Sequence, residues 1–308
     1  MAQTKILYAL GFFDGVHRGH QAIFAEVRRL AAQHHMRPGV FTYENHPQSV
    51  VGGSAPALLT TPAERRRLFA AQGMEEIVMI PFDCAFASRS PAAFVDLLVR
   101  EYQCGGLCCG PNFRFGSHAA GDAAQLESLC AQRGLLHQVV EPVTLGSRYI
   151  SSTLIRTLLR EGEPQQARQC LGRPFSLRGP IVHGDGRGRR LGIPTINLTP
   201  PEGMLLPRAG VYATLTQLEG GPLYHSLTNV GVRPTFRTGG GATVETHITG
   251  FQGDVYGQWA RVWFCAYLRE EQKFENPALL VEQIANDQKR AAQLLAAYDR
   301  GDMDDLTE

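Results

Sequence analysis

Lysine is scarce in this 308-residue chain. Only Lys5, Lys273 and Lys289 are present, and none follows a glycine, which excludes a phosphate-binding loop ending in Gly-Lys-Ser/Thr. Arginine supplies nearly all the basic charge without a dominant basic block, and the net charge is only +1. This balance argues against a nucleic-acid partner. Any ATP chemistry in this chain must use another phosphate cradle.

The chain also lacks an apolar run of membrane-spanning length. Asp14 and His17 interrupt the N-terminal apolar run before a signal-peptide core is complete, so we expect a cytoplasmic protein without a membrane partner. The seven cysteines lie mostly in apolar segments, as reduced thiols do. Adjacent Cys108 and Cys109 would point to opposite faces of a strand, which favours buried apolar thiols over a metal site with Cys104.

Up to about residue 160, strand-like apolar runs alternate with helical patterns. The predicted strands cover residues 6–10, 39–43, 77–81, 106–110 and 136–140, and the predicted helices cover about 18–34, 62–72, 91–101 and 122–133. Thr61-Pro62 and Ser90-Pro91 are helix-start signals. This order predicts an α/β domain with a parallel, doubly wound sheet whose ligands bind beyond the carboxyl ends of the strands.

The segment from Gly11 to Gln21 follows the first predicted strand and leads into the first predicted helix. His17 and His20 would lie on one face at the start of that helix, where free N–H groups and the helix dipole favour an anion. The segment therefore predicts a phosphate site. Two alternatives are a metal-binding histidine pair, which lacks a complete zinc ligand set, and histidines that only cap the helix or fill the core.

Two further loops follow strands at the same edge, at residues 43–47 and 110–116. Phe113 and Phe115 offer flat surfaces for an aromatic ligand, although the second loop could also be a plain turn. Ser151 or Ser152 can cap the next helix, and Arg156 follows about one turn later. Hydroxyls, N–H groups and a guanidinium together suit a triphosphate.

After Arg160 the pattern changes. Residues 161–175 are predicted to form a helical connector between two domains, at 1–160 and 176–308. Short β-branched and aromatic runs then cover residues 176–183, 210–218, 225–230, 243–250 and 258–268, before an amphipathic helix at about 277–298. The second domain is predicted to be a small antiparallel β-barrel closed by a C-terminal helix.

The second domain carries motifs of its own. Its glycine- and arginine-rich loop at 184–192 lacks the final glycine and the βαβ context of a dinucleotide fingerprint, yet it can wrap a nucleotide phosphate. Thr195 and Asn197 follow, two residues apart on a predicted strand. Their neutral oxygens on one face suit Mg²⁺, which takes few protein ligands.

A family resemblance covers nearly the whole chain. It is carried by Gly-x-Phe-Asp-Gly-Val-His-x-Gly-His-Gln, Gly-x-Asn-Phe-x-Phe-Gly, Ile-Ser-Ser-Thr-x-Ile-Arg, Leu-Gly-x-Pro-Thr-x-Asn and Val-Glu-Thr-His-Ile, in that order. The order and spacing of these motifs resemble the bacterial bifunctional riboflavin kinase/FAD synthetase family. The resemblance implies a Rossmann-like nucleotidyltransferase module that forms FAD from FMN and ATP, and a β-barrel module that phosphorylates riboflavin with ATP and Mg²⁺.

The resemblance also implies site residues. Glu245 would be the general base of the kinase, Thr195 and Asn197 would place Mg²⁺, and His17, His20 and Arg156 would act on the phosphates in adenylylation. The implied ATP-binding residues are Gly11, Phe12, Asp14, His17, Gly19, His20, Ser151, Ser152, Thr153, Arg156, Gly184, Gly186 and Gly188. The implied flavin-binding residues are His46, Pro47, Asn112, Phe113 and Phe115.

Three positions depart from the family's pattern: Asn45, Asn112 and Ala119, where many members have Pro, Asp and Arg. All three lie in the N-terminal module. One alternative is therefore a riboflavin kinase with a degenerate N-terminal module, and a second is a nucleotidyltransferase acting on another phosphate ester. A third is a non-catalytic flavin-binding regulator, which the presence of Glu245, Thr195 and His20 disfavours. We expect a monomer or a weak homo-oligomer.

Overall fold

The computed structural model describes residues 4–184, 188, 192–232, 242–296 and 298. The predicted ATP-binding residue Gly186 lies outside the described residues. The chain forms two compact units, Met1–Ser152 and Thr153–Glu308.

The first unit is built on a five-stranded parallel sheet in the order β3-β2-β1-β4-β5. Its strands are β1 (Ile6–Leu10), β2 (Arg37–Tyr43), β3 (Glu76–Ile80), β4 (Cys104–Cys109) and β5 (Leu136–Val139). Its helices are α1 (Arg18–Gln33), α2 (Gln48–Val51), α3 (Pro62–Ala71), α4 (Cys84–Ala87), α5 (Pro91–Glu101) and α6 (Ala123–Gln132). A short antiparallel pair, β6 (Thr144–Leu145) and β7 (Arg148–Tyr149), follows. The predicted doubly wound sheet is confirmed.

The central strand β1 is buried on both faces, as a parallel strand covered by helices should be. Ile6, Tyr8 and Leu10 belong to one core cluster, whereas Leu7 and Ala9 belong to a second. The first cluster includes residues of α5 and α6, and the second includes residues of α1 and α3. The alternation of side chains along β1 thus supplies both layers of the core.

The cysteine interpretation is confirmed. Cys108 belongs to the second core cluster and Cys109 to the first, so the two thiols lie on opposite faces of β4. Burial raises the pKa of both thiols to about 12, as it does for Cys104. These thiols stay protonated at neutral pH and pack as small apolar groups.

Both predicted helix-start signals are N-caps. The Thr61 hydroxyl accepts a hydrogen bond from the Glu64 N–H at 3.1 Å, and the Ser90 hydroxyl accepts one from the Ala93 N–H at 3.2 Å. Pro62 and Pro91 then occupy the first turns of α3 and α5. These caps fix where the loops beyond β2 and β3 end.

The second unit contains a closed barrel of six strands in the order β10-β11-β12-β9-β8-β13. The strands are β8 (Phe175–Val182), β9 (Ile196–Leu198), β10 (Gly210–Leu218), β11 (Leu223–Val232), β12 (Ala242–Ile248) and β13 (Trp259–Arg269). Helices α7 (Ser152–Glu161) and α8 (Pro164–Leu171) precede the barrel, and helix α9 (Pro277–Leu295) follows it. The predicted antiparallel barrel with a C-terminal helix is confirmed.

The inside of the barrel contains a chain of buried hydroxyl groups. The Thr214 hydroxyl oxygen lies 2.8 Å from the hydroxyl oxygens of both Ser226 and Thr228, and the Thr228 oxygen lies 2.9 Å from that of Thr246. Each buried hydroxyl therefore has a partner, which avoids the cost of burying an unpaired polar group. On β12, the residues between these inward positions face outward, and Glu245 is one of them.

No helix in the described part of the chain is both long and apolar enough to cross a membrane.

Candidate active sites

The turn after β1 places two histidines at the start of α1. His17 is the N-cap residue, and its Nδ1 accepts a hydrogen bond from the His20 N–H at 3.4 Å. The two imidazole rings stack with their centroids 3.5 Å apart and their planes 22° apart. The predicted pairing of His17 and His20 at a helix N-terminus is thus present in the structure, beside the first free N–H groups of α1.

His20 lies in a setting that disfavours its charged form. Burial, together with the nearby His17, holds the pKa of His20 well below its usual value of 6.5. The rings of Phe13 and His20 are nearly perpendicular, with their centres 5.1 Å apart. The buried Nδ1 of His20 has no hydrogen-bond partner among the described residues. At neutral pH this imidazole is neutral, with one ring nitrogen left for a ligand.

The same turn is conformationally strained. Phe13 has a φ of 58° and Val16 a φ of 45°, although side chains, and β-branched ones especially, disfavour the left-handed region. Such residues cost about 1–3 kcal/mol each and persist where the surrounding structure holds them. Both side chains are buried in the core. The packing therefore fixes a backbone shape that the turn would not adopt alone.

Asp14, predicted to bind ATP, holds a neighbouring loop. Its buried carboxylate accepts hydrogen bonds at 3.0 Å from the N–H groups of Leu59 and Thr60 and from the Thr60 hydroxyl. The Asp14 carbonyl in turn accepts a hydrogen bond at 2.9 Å from the Ser152 hydroxyl. Ser152 therefore lies at this turn.

The other residues of the Ser-Ser-Thr-x-Ile-Arg motif lie around the start of α7. Ser151 is half-buried and belongs to the first unit, whereas Thr153 and Arg156 belong to the second. Thr153 is exposed, and Arg156 is buried with an exposed fraction of 6%. Their predicted contacts with ATP phosphates stay predictions.

Arg65 is a feature of this region that has no signal in the sequence. It is fully buried on α3, and it donates hydrogen bonds to the carbonyls of Phe12 at 2.9 Å and Glu44 at 2.7 Å. Its guanidinium also lies 4.1 Å from the centre of the Phe12 ring. Burial lowers the pKa of Arg65 to about 10, while the charge of Asp14 opposes that shift. Arg65 thereby joins the turn after β1 to the loop after β2.

An aromatic cavity of about 650 Å³ opens at the carboxyl edge of the sheet. Its walls include Tyr43, Phe82, Phe86, Phe94 and Phe115, which come from the end of β2, the loop after β3, helices α4 and α5, and the loop after β4. Its aromatic walls suit a flat aromatic ligand, and the binding of such a ligand here stays a prediction.

The predicted flavin-binding residues divide around this cavity. Pro47 and Phe115 line it. Phe113 stacks on Phe115 with ring centres 5.5 Å apart, His46 packs against the Phe12 ring at 4.6 Å, and Asn112 is exposed. The last three residues do not line the described cavity.

Two of the three positions that depart from the family's pattern help to shape this cavity. The Asn45 amide donates to the Phe82 carbonyl at 2.9 Å and accepts from the Phe82 N–H at 2.8 Å, so it pairs with that backbone like a neighbouring strand. Ala119 lines the cavity with a φ of 54°. Both substitutions are thus compatible with a formed cavity.

In the barrel, strand pairing aligns three polar residues. Glu245 on β12 lies directly opposite Asn197 on β9 and directly opposite Asn229 on β11. Side chains at such positions share one face, with Cβ atoms about 5 Å apart. The row Asn229, Glu245 and Asn197 therefore crosses the outer face of the barrel, and Thr195 lies just before Asn197 in the chain.

Two cavities adjoin this row. One of about 430 Å³ includes Asn229, Glu245 and Thr195, and the apolar side chains Val211, Leu227, Phe274, Leu280 and Ile284 supply much of its remaining wall. The other, of about 620 Å³, includes Thr195, Asn197, Gly184 and the His183–Tyr256 pair, whose rings stack at 3.7 Å. Thr195 is common to both cavities, so the polar row lies where they adjoin.

Two of the three glycines predicted for this loop, Gly184 and Gly188, line these cavities. Gly184 packs so closely against the Asn197 amide that any Cβ would collide with it. Gly188 lines the smaller cavity, with Thr195 Oγ1 3.5 Å from where a Cβ would be.

Asn229 carries an unused acceptor in the smaller cavity. Its Nδ2 donates to the Glu271 carboxylate at 2.8 Å, whereas its buried Oδ1 has no hydrogen-bond partner among the described residues. The Asp287 carboxylate, which also lines this cavity, accepts hydrogen bonds from Arg269 and Gln283, both at 2.9 Å. Paired polar groups thus fix part of the cavity wall, and Asn229 and Glu245 add further polar atoms to it.

Comparison with known proteins agrees with the division of the chain into two units. The FAD synthetase family model matches residues 1–154, and the riboflavin kinase family model matches residues 171–295. The bifunctional riboflavin kinase/FMN adenylyltransferase of Listeria monocytogenes is 31% identical, with 91% of this chain and 90% of that protein covered. The protein of the same name from Bacillus subtilis is 32% identical, with 94% of this chain and 92% of that protein covered.

A solved structure also resembles the whole chain. The crystal structure of a macrolide-efflux protein from Streptococcus pneumoniae is 29% identical in sequence, the match covers 95% of both chains, and the TM-score is 0.87. By the family models and the full-length relatives, this chain belongs to the bifunctional riboflavin kinase/FMN adenylyltransferase family and carries both an FAD synthetase domain and a riboflavin kinase domain.

Proposed function

We propose that the second unit phosphorylates riboflavin at the polar row of the barrel and that the first unit adenylylates FMN at the histidine turn. The alignment of Asn229, Glu245 and Asn197 between two cavities carries the kinase assignment. A mainly apolar cavity suits the flavin ring, and a cavity with stacked rings beside Asn197 suits a nucleotide. The two ligands would then meet at Thr195 and Glu245.

The kinase step needs a base. The 5′-hydroxyl oxygen of riboflavin forms a bond to the γ-phosphorus of ATP while the bond to the bridging oxygen breaks, releasing ADP. Glu245 takes the hydroxyl proton as the nucleophile attacks. Its position on a strand, between two asparagines fixed by register, supports this role because a rigid element holds the carboxylate in place.

Thr195 and Asn197 fit a magnesium ion. Both present neutral oxygen donors, which Mg²⁺ accepts alongside water and phosphate oxygens, and glycine at position 184 leaves room beside the Asn197 amide. When bound, the ion would neutralise negative charge on the transferring phosphate. We propose these two residues as its protein ligands.

The adenylylation step needs charge placement rather than a base. A phosphate oxygen of FMN, already anionic at neutral pH, forms a bond to the α-phosphorus of ATP, and pyrophosphate leaves. His17, His20 and the free N–H groups of α1 can bind phosphate oxygens at the turn. The aromatic cavity beyond β2 and β3 would hold the isoalloxazine ring of FMN.

The proposal is tested by incubating the protein with riboflavin, ATP and Mg²⁺ and separating riboflavin, FMN and FAD over time. We expect FMN to appear first and FAD to follow. Accumulation of FMN without FAD would favour a kinase with a degenerate first unit, and flavin binding without either product would favour a regulator. FAD formation from supplied FMN without FMN formation would restrict the protein to adenylylation.

Cytoplasmic location, the absence of a nucleic-acid partner and a monomeric or weakly oligomeric state stay predictions. Cell fractionation tests the location, a nucleic-acid binding assay tests the absence of that partner, and light scattering at several protein concentrations tests the oligomeric state.

A further inference from the structure

The aromatic cavity of the first unit is lined by cations and by no acidic residue of the described chain. Arg114 has an ion pair with Asp122, with 3.6 Å between nitrogen and oxygen. Arg89 differs, because its guanidinium has neither an ion pair nor a hydrogen bond with the described residues. Its Nε is buried without a partner, and a buried donor left unpaired is costly. The cavity is therefore suited to a ligand that brings an acceptor.

The backbone around Arg89 is fixed on both sides. Its carbonyl accepts a hydrogen bond at 2.6 Å from the Ser117 N–H, and its own N–H donates to the Phe86 carbonyl at 3.2 Å. The facing loop turns at Gly116, with a φ of 74°, where a Cβ would lie 2.8 Å from Pro91. Arg89 is thus held between α4 and the loop after β4, while its guanidinium lies 5.6 Å from the centre of the Phe86 ring.

We propose that Arg89 is a specificity-determining residue that donates hydrogen bonds to the carbonyl edge of the isoalloxazine ring of FMN. This inference rests on the proposed adenylylation function. A flat tricyclic ring fits against the phenylalanines, and its pyrimidine edge carries two carbonyl oxygens that can accept from a planar guanidinium. The phosphate of FMN is a second strong acceptor, but it must reach the reacting α-phosphate of ATP, whereas Arg89 lies among the aromatic walls.

The test compares the wild-type chain with Arg89→Met in FAD formation from FMN. We expect KM for FMN to rise about 10-fold or more, since a hydrogen bond to a charged group is lost, while KM for ATP stays unchanged. Lumiflavin, which has the ring but neither the ribityl chain nor the phosphate, is the probe for the ring. Its inhibition constant against FMN should rise by the same factor as KM. The KM of Arg89→Lys for FMN should lie between the values of the wild type and Arg89→Met, since lysine keeps the charge and lacks the planar guanidinium.

Arg100→Met is the matched control, because Arg100 is an exposed residue on neighbouring α5 and its loss removes the same charge. Its kinetics should equal those of the wild type. The proposal is overturned if Arg89→Met leaves KM for FMN unchanged. It is also overturned if KM rises while lumiflavin inhibition stays the same, since Arg89 would then bind the phosphate.

If Arg89→Met does not fold, Arg89→Gln and Arg89→Lys provide the same comparison. If the wild-type chain forms no FAD, the adenylylation function fails. Lumiflavin binding by fluorescence, compared between wild type and Arg89→Met, would then still decide whether Arg89 contacts the ring.

Discussion

Single buried charges hold the proposed adenylylation site in shape, and Arg65 is the clearest of them. Its guanidinium donates two hydrogen bonds to carbonyls on different loops, one in the turn after β1 and one in the loop after β2. We expect Arg65→Met to lower FAD formation by about 10-fold or more, because misplacing a reacting group by about 1 Å has effects of this size or larger. FMN formation should stay unchanged, and both products are measured in one assay.

Arg66→Met is the control for this change, since Arg66 is the exposed neighbour on α3 and is removed with the same alteration of charge. Equal FAD formation by the two variants would remove Arg65 from the positioning of the turn. A thermal unfolding curve shows how far Arg65→Met also destabilises the first unit.

His20 is expected to act on the phosphates directly. His20→Ala should leave riboflavin phosphorylation intact and lower FAD formation from FMN by ~10²-fold or more, the scale of losing a contact to developing charge. The two rates are compared on one protein preparation. An equal loss of both activities would refute the assignment, because the kinase site lies in the other unit.

The lowered pKa of His20 also predicts how stability depends on pH. The folded state keeps this imidazole neutral, whereas the unfolded chain takes up a proton near pH 6.5. Stability from this group is therefore fully present above about pH 6.5 and is lost as the pH falls below that value. Unfolding by denaturant from pH 8 to pH 5 should show a smaller acid loss for His20→Gln than for the wild type, and equal losses would contradict the prediction.

At the level of elements, strand register creates the proposed kinase site. Asn229, Glu245 and Asn197 are far apart in the chain, and only the pairing of β11, β12 and β9 aligns them. Glu245→Gln keeps the shape and most hydrogen bonding of the side chain but removes the base. We expect riboflavin binding to survive while FMN turnover falls by ~10² to 10⁴-fold, the usual contribution of a general base.

Binding by flavin fluorescence and turnover by product analysis are measured together for this variant. FAD formation from supplied FMN should stay at the wild-type level, since Glu245 belongs to the other unit. A folded Gln variant with near-normal FMN turnover would remove Glu245 from the mechanism.

Strands and helices whose apolar residues repeat with a clear period were predictable from the sequence. Very short helices and contacts between residues distant in the chain were not. The five parallel strands, the capped helices α3 and α5, the barrel and the family were predicted and are confirmed. Helices α2 and α4 have four residues each, too few to show a period. Arg65 resembles its exposed neighbour Arg66 in sequence, and only packing against the turn buries it.

The same reason limits prediction of the sites. Local motifs marked His17, His20, Thr195 and Asn197, because neighbouring glycines and short spacings identify them. Asn229 carried no assigned role, because its position beside Glu245 depends on strand register and its unpaired Oδ1 depends on burial. Contacts between side chains distant in the sequence leave no local pattern to find.

At the level of the whole molecule, two compact units carry two reactions, and the boundary between them stays a prediction. The predicted connector at 161–175 contains α8, whose residues Ala167, Cys170 and Leu171 are buried. Within the second unit, α8 packs against β8 and β13. Arg168 also lies over the Tyr298 ring at 4.5 Å. A kinase fragment that retains this helix should therefore be more stable than one that lacks it.

The last prediction follows from that packing. A fragment of residues 153–308 should fold alone, form FMN from riboflavin and ATP, and form no FAD, because its barrel and helices exceed the size at which a domain is self-contained. A shorter fragment from Arg173 should also form FMN but unfold more easily, since it leaves the surface under α8 exposed and a buried leucine alone contributes about 1.5–3 kcal/mol. Denaturant titration of both fragments, with product analysis, measures the difference. An insoluble longer fragment would show that the two units share a core, and equal stability of the two fragments would show that α8 belongs to the connector rather than to the kinase.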